Sequence, residues 1–248
     1  MPKRDTQSVL SSLPPMVRSR LDDLASALKE HAGTALEGLL VYGSAVRGGF
    51  IPGKSDVDVM IVLSDDRRPL LEAIGTALQL ARASARIECM VLRADEIQDA
   101  ADVFPLLYDD VRGCHALLHG RDPFADLKIS DVHRRLRIEQ ELREARIRLR
   151  RVLSDDAGMP TSLAGPIGHK LKQLRSPLHA LLILRGETTH DDDVEAVLRA
   201  ACAAYQLDPT PLINATSAPS VAADALTRLL DAAIHDAELQ DPAKRAVA

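Results

Sequence analysis

Two aspartates, two residues apart, are the clearest sign of chemistry in this chain of 248 residues. Asp56 and Asp58 open an apolar run that ends at Leu63. Side chains two residues apart in a strand project from the same face, so the two carboxylates are predicted to lie side by side. Two carboxylates this close repel each other unless a cation lies between them. Hard oxygen ligands of this kind suit Mg²⁺. The pair therefore predicts a metal site.

A third acid and a glycine–serine turn complete the candidate set. Glu88 interrupts the apolar run Ala85–Leu92, and a glutamate in a buried strand costs free energy unless it is paired or binds metal. Gly43 and Ser44 follow another apolar run and offer backbone N–H groups and a hydroxyl, which suit an anion. A phosphate-binding turn beside paired metal ligands is typical of phosphoryl or nucleotidyl transfer.

The hydrophobic pattern of the first half predicts the elements that position these residues. Ser12 and Pro14 indicate the start of a helix that ends at Gly33. Four strands are predicted at Leu36–Tyr42, Asp56–Leu63, Arg86–Leu92 and Cys114–Leu118. Further helices are predicted at Pro69–Ala81, Ala94–Val103 and Pro105–Val111. This order predicts an α+β domain over residues 1–128, in which helices flank a small mixed sheet.

The second half of the sequence is predicted to be helical throughout. Helices are expected from Ser130 or Asp131 to Leu153, then at Leu171–Leu184, Val194–Tyr205 and Val221–Leu239. Asp155–Ala164 is expected to be a linker, and Pro177 either kinks its helix or starts a new one. Residues 129–248 are therefore predicted to form an all-α bundle of four or five helices.

The ordered motifs Gly43-Ser44, Arg47-Gly48, Ser55-Asp56-x-Asp58 and Glu88 resemble those of the DNA polymerase beta-like nucleotidyltransferase superfamily. In size and layout the chain resembles the bacterial aminoglycoside-type and minimal nucleotidyltransferases. The motifs cover roughly residues 36–91, and a weaker similarity extends over residues 117–123. The resemblance implies transfer of a nucleoside monophosphate, by default AMP from ATP, to a hydroxyl group of a small-molecule acceptor such as an aminoglycoside.

The resemblance also implies roles for seven residues. Asp56, Asp58 and Glu88 would be catalytic residues and ligands of one or two Mg²⁺ ions. Gly43, Ser44, Arg47 and Lys54 would contact the nucleotide triphosphate. Arg47 fits a brace of its own loop as well as a phosphate contact, and Glu88 fits a base for the acceptor hydroxyl as well as a metal ligand. The plain alternative is an aspartate-rich turn with Glu88 in a surface ion pair.

Eight arginines on the predicted helix from Asp131 to Leu153 allow two interpretations. Glu139 with Arg143, and Glu144 with Arg148, have the favourable order for ion pairs four residues apart, as expected of a solvated helix face. The other interpretation is that some of these arginines line a cleft and meet the triphosphate.

The composition limits the substrates and the cellular location that are expected for this chain. A net charge of −5 and the scarcity of aromatic residues argue against nucleic acid as a substrate. Three scattered cysteines suit a reducing cytoplasm. No apolar stretch approaches the length of a membrane span and the start has no secretory pattern, so a cytoplasmic protein is expected.

Two other functions remain open at this point. One is a protein-modifying, AMPylating nucleotidyltransferase of the toxin–antitoxin type, although such proteins are usually shorter. The other is a non-catalytic module that binds nucleotide or a partner protein, against which the intact Asp56, Asp58 and Glu88 argue. The resemblance also suggests a homodimer formed through the helical half.

Overall fold

The structure is a computed structural model that describes residues 6–156, 163–187 and 193–241. The chain divides into two compact units. The first comprises Met1–Ala101 and Leu107–Lys128, and the second comprises Asp102–Leu106 and Ile129–Ala248. Each unit has its own hydrophobic core. In the described residues, no helix combines the length and apolar character that a membrane crossing requires.

Helices and strands alternate in the first part of the chain. Helices α1–α6 span Thr6–Ser12, Pro15–Ala32, Ser44–Arg47, Arg68–Ala85, Glu96–Asp99 and Pro105–Gly113. Strands β1–β4 span Leu36–Tyr42, Val57–Leu63, Ile87–Arg93 and His115–Gly120, and a 3₁₀ turn at Gly33–Ala35 precedes β1. The predicted α+β class is confirmed.

The four strands form one mixed sheet in the order β3-β2-β1-β4. β1 is antiparallel to both β2 and β4, whereas β2 is parallel to β3. Val57, Val59 and Ile61 share a buried core with α2 and α4. Because side chains alternate along a strand, Asp58 lies on the opposite face of the sheet.

The second unit is helical, as predicted. Its helices α7–α11 span Asp131–Asp156, Ala164–Leu184, Val194–Ala204, Thr210–Ile213 and Pro219–Leu239. The apolar stripe of α7 (Ile138, Leu142, Ala145 and Leu149) is buried against leucines and alanines of α8 and α11. Asp193 caps the start of α9, and its carboxylate accepts a hydrogen bond of 2.9 Å from the N–H of Ala196.

Several predicted boundaries are wrong. The expected helix Ala94–Val103 is a single turn, Glu96–Asp99. α8 begins at Ala164 rather than Leu171, and it passes through the buried Pro177 without ending. α7 continues into the predicted linker as far as Asp156, and residues 157–162 of that linker lie outside the described part of the chain. Ser12 ends α1 instead of starting α2.

Candidate active site

The sheet brings the predicted acids to one end of two neighbouring strands. β2 and β3 are parallel, and Asp58 lies level with Glu88 in their ladder. Asp56 directly precedes β2, and Tyr42 at the end of β1 lies opposite Asp58 in the antiparallel ladder. One end of the sheet therefore brings together the start of β2, the start of β3 and the end of β1.

The glycine–serine turn lies directly against Asp58. Gly43 has a φ of +72° and a ψ of −149°, a backbone conformation that residues with side chains rarely adopt. A Cβ atom at this position would lie 2.2 Å from Oδ2 of Asp58, well inside contact distance. Glycine is therefore required here both by the backbone angles and by the carboxylate. Ser44 follows at the start of the short helix α3 and is half-buried.

The carboxylate of Asp58 is held in an unfavourable electrostatic environment. Burial raises its pKa to about 6, and the nearby charges of Asp56, Glu88 and Asp110 contribute to the rise, while Arg47 opposes them. Burial, together with the charge of Asp58, raises the pKa of Tyr42 to about 12. These interactions place both other predicted acids close enough to Asp58 to affect it.

Two arginines hold the other two acids. Arg86 contacts Oδ1 of Asp56 at 2.7 Å, and Arg82 contacts Oε1 of Glu88 at 2.9 Å. The side chains of Asp56 and Glu88 remain 46% and 42% exposed, so both ion pairs are solvated and contribute little to stability. None of the ion pairs in the described part of the chain involves Asp58.

The set of acids suits a magnesium ion in chemistry, although not in its present arrangement. Asp56, Asp58 and Glu88 offer only hard carboxylate oxygens, and their mutual repulsion is the condition that a divalent cation relieves. Among the described residues, no three carboxylate, imidazole or thiol groups are placed to enclose an ion as they stand. The reason is visible in the contacts, because Asp56 and Glu88 are directed to their arginines. The metal role of these residues stays a prediction.

Arg47 forms the contact that a loop brace requires. Its side chain is 8% exposed, and Nη2 lies 2.6 Å from Oδ2 of Asp110 on α6 and 3.3 Å from the carbonyl oxygen of the same residue. This ion pair ties the turn after β1 to α6. For the predicted phosphate contact, the guanidinium of Arg47 would have to bind a phosphate as well as Asp110. Lys54, by contrast, is exposed in the loop before β2, where its carbonyl oxygen accepts from Arg86 at 3.4 Å.

Sequence reasoning missed four residues of this region: Tyr42, Arg82, Arg86 and Asp110. The predicted strand begins at Arg86, but this residue instead caps the end of α4 in the left-handed conformation, with a φ of +54°. Its position two residues before Glu88, and four after Arg82, is the available signal for a pair of guanidinium groups beside the acids. Nothing in the sequence indicates that Asp110 reaches Arg47 across 63 positions.

The arginines of α7 are largely committed to the second unit itself. Both predicted ion pairs form, with Arg143 at 2.7 Å from Glu139 and Arg148 at 3.0 Å from Glu144. Arg146 lies 2.8 Å from Asp231 of α11. These contacts favour the interpretation of a solvated, ion-paired helix face.

Comparison of the sequence with protein families gives one match that covers half of the chain. Residues 21–148 match the family model described as the nucleotidyltransferase domain. This match includes every residue of the candidate site and confirms the resemblance that the motifs predicted. No curated protein sequence matches the chain significantly.

A similar fold occurs in a solved structure, that of spectinomycin adenyltransferase AAD(9) from Enterococcus faecialis with ATP and spectinomycin. The TM-score is 0.57 at 12% sequence identity, and the alignment covers 89% of this chain and 98% of that one. At this identity the similarity establishes a shared fold.

Proposed function

Because this chain belongs to the nucleotidyltransferase domain family and is a nucleotidyltransferase, we propose that it transfers AMP from ATP to a hydroxyl group of a small-molecule acceptor. The family supports the reaction class. ATP as the donor is supported by its presence in the solved structure of the similar adenyltransferase. The acceptor class is supported by spectinomycin in the same structure, and an aminoglycoside-type compound is the first choice.

The observation that carries this proposal is the close approach of Gly43 to Asp58, which pairs with Glu88 in the ladder of β2 and β3. A turn with N–H groups and a hydroxyl lies against one carboxylate, and two more carboxylates act on the same carboxylate electrostatically. A nucleotide triphosphate requires this combination of anion contacts and cation ligands.

In the proposed site, Asp56, Asp58 and Glu88 would hold one or two Mg²⁺ ions. When bound, Mg²⁺ neutralises the negative charge that develops on phosphate oxygens during transfer. Gly43 and Ser44 would hold the β- and γ-phosphates through backbone N–H groups and the hydroxyl, and Lys54 would approach them from its exposed loop. Glu88 would accept the proton of the acceptor hydroxyl. The oxygen of that hydroxyl would attack the α-phosphorus, and pyrophosphate would leave.

Incubation with ATP labelled at the α-phosphate tests the proposed transfer. The reaction contains Mg²⁺ and either a panel of aminoglycoside-type compounds or a cell lysate, and products are separated by chromatography and by gel electrophoresis. We expect label in a small molecule, pyrophosphate in equal amount, and no transfer with the Asp56→Asn protein. Label in protein bands instead would establish the AMPylating alternative and overturn the proposed acceptor.

Calorimetry with a non-hydrolysable ATP analogue tests the metal requirement separately. We expect binding that strengthens at least ten-fold with Mg²⁺ in the wild-type protein and does not respond to Mg²⁺ in the Asp56→Asn protein. Binding that ignores Mg²⁺ in both proteins would indicate a non-catalytic nucleotide-binding module and contradict the proposed chemistry.

A further inference from the structure

Two packed helices of the second unit line an open polar cavity that the proposed reaction does not use. The cavity has a volume of about 380 Å³. Its lining consists of Arg137, Glu141, Glu144, Ala145 and Arg148 on α7, and of Lys170, Gln173, Leu174 and Pro177 on α8. The polar α7 residues recur every three or four positions, so they form one face of that helix. The four α8 residues lie within three or four positions of Lys170 or Pro177 and also share one face.

Lys170 is the unusual residue of this cavity. The residue is 8% exposed, and its ammonium group donates a hydrogen bond of 3.0 Å to Oε1 of Gln173, which is a neutral partner. Burial lowers the pKa of Lys170, and the charge of Arg148 lowers it further. A buried ammonium group without a carboxylate is unfavourable, because loss of hydration is not repaid by an opposite charge. In the described part of the chain, no carboxylate forms an ion pair with Lys170.

The remaining charges of the lining balance one another. Arg137 lies 2.9 Å from Glu141, and Arg148 lies 3.0 Å from Glu144. Both are partly solvated pairs four residues apart on a helix, a kind of pair that contributes little to stability. Their guanidinium groups can therefore turn toward a stronger anion at small cost. The cavity thus holds one uncompensated positive charge and two further cations within reach.

We propose that this cavity binds a phosphorylated polar small molecule, with Lys170 as the principal contact of the phosphate group. A phosphate monoester offers three acceptor oxygens, and Lys170, Arg137 and Arg148 offer donors from both helices. The volume falls in the range of small-molecule sites and leaves room for more than a phosphate. Glu141 and Glu144 can accept hydrogen bonds from hydroxyl groups of the remainder, while Leu174 and Pro177 provide its apolar surface.

Calorimetric titration of the whole chain with glucose 6-phosphate, and separately with inorganic phosphate and glucose, tests this site. Mg²⁺ is left out, and a saturating non-hydrolysable ATP analogue is present so that the nucleotide site is filled. We expect glucose 6-phosphate and inorganic phosphate to bind with one site per chain and glucose alone not to bind. Absence of phosphate binding while the ATP analogue fills the nucleotide site would overturn the proposal, because the chain would then offer no second site for phosphate.

Lys170→Gln is the decisive variant, and Lys172→Gln is its matched control, since Lys172 is exposed on the same helix two residues away. We expect the dissociation constant for inorganic phosphate to rise at least ten-fold in the first variant and less than two-fold in the second. Equal affinity of the Lys170→Gln and wild-type proteins would overturn the proposal.

Thermal unfolding distinguishes a binding role of Lys170 from a structural one. We expect Lys170→Met to unfold at a temperature equal to or above that of the wild type in phosphate-free buffer, because the substitution removes a buried charge. The wild-type protein should gain stability on addition of phosphate, and the variant should gain none. A variant that is less stable without phosphate, yet gains as much as the wild type with it, would contradict the inference.

Discussion

Asp58 in the first unit and Asp236 in the second show two ways of removing a carboxylate from water. Asp236 is 8% exposed and accepts hydrogen bonds from Arg185 at 2.9 Å, from the hydroxyl of Tyr205 at 2.8 Å and from Gln240 at 3.1 Å. Asp58 is half-buried among acids that repel it, and its pKa rises to about 6. The acid with full hydrogen bonding supports the fold, whereas the crowded acid lowers stability and lies in the candidate site.

The partners of a buried carboxylate distinguish a structural acid from a functional one. A carboxylate with a full set of hydrogen bonds does not require a ligand. A carboxylate surrounded by other acids is stabilised when a cation binds. The two classes of residue should therefore respond in opposite directions when the charge is removed. Stability should fall at the structural acid, and it should rise at the functional one while activity is lost.

Asp58→Asn should show the largest effect. We expect transfer activity to fall by about 10³-fold, because the site is deprived of one ligand and one charge. In metal-free buffer the free energy of unfolding should rise by about 1–2 kcal/mol, after allowance for the partial exposure of the carboxylate. Labelled-ATP assays and urea unfolding measure the two quantities. The exposed Asp22→Asn on α2 is the control, and a loss of stability in Asp58→Asn would contradict the interpretation.

The burial of Asp58, together with repulsion from the neighbouring acids, also sets a pH dependence of stability. The folded chain holds a proton on Asp58 more tightly than the unfolded chain does, because its pKa is raised from 3.8 to about 6. The folded state therefore binds more protons between these two values, and this group makes stability fall as pH rises through that window. Urea unfolding between pH 4 and pH 7 should show a shallower fall in Asp58→Asn than in wild type.

Asp236→Asn should act in the opposite sense. We expect a loss of about 2–3 kcal/mol in the free energy of unfolding, because Arg185 and Tyr205 lose the largely buried carboxylate that they share, and Arg185 retains only its partly exposed pair with Glu187. Transfer activity measured well below the unfolding transition should change less than about two-fold, since these hydrogen bonds are internal to the second unit. A large loss of activity without loss of stability would assign this acid to function instead.

Gly43→Ala tests the close approach that joins the turn to Asp58. The added methyl group meets Oδ2 of Asp58 at 2.2 Å and the backbone φ is +72°, so the carboxylate or the turn must move. We expect activity to fall about ten-fold or more, with a cost of about 1–3 kcal/mol in stability. Gly49→Ala is the matched control, because its Cβ would meet no atom within 4 Å. Equal activity of the two variants would remove the turn from the candidate site.

Much of this site follows from the sequence by simple periodicity. The spacing of Asp56 and Asp58, and the apolar residues around Glu88, are enough to predict two strands with acids at one edge, because strand alternation and burial are local rules. The pairing of Arg82 and Arg86 with these acids is not local. It depends on α4 running to Ala85, four residues past the predicted end, and on a left-handed residue at Arg86.

Other outcomes also have physical reasons. Of the two alternatives for Pro177, the start of a new helix is wrong, because α8 continues through this residue. Pro177 removes one helical hydrogen bond, but its neighbours Leu174, Leu178 and Leu181 are buried in the core, and packing outweighs the local preference. The predicted helix after β3 ends at Asp99, and Pro105, which suits the first turn of a helix, begins α6 instead. Tertiary packing decides the case of Pro177.

Arg86→Gln should have the smallest effect on activity and stability. It tests whether an acid of the candidate site depends on its arginine as Asp236 does. The guanidinium of Arg86 holds Asp56 at 2.7 Å in a solvated pair, so it competes with a cation for the same oxygen. We expect the Mg²⁺ concentration for half-maximal activity to fall about two- to five-fold, with stability changed by less than about 1 kcal/mol. Arg68→Gln, which breaks the exposed pair with Glu72 on the same helix, should leave the Mg²⁺ requirement unchanged. A rise in the requirement would mean that Arg86 positions Asp56 for the metal, so that this acid, like Asp236, would need its arginine.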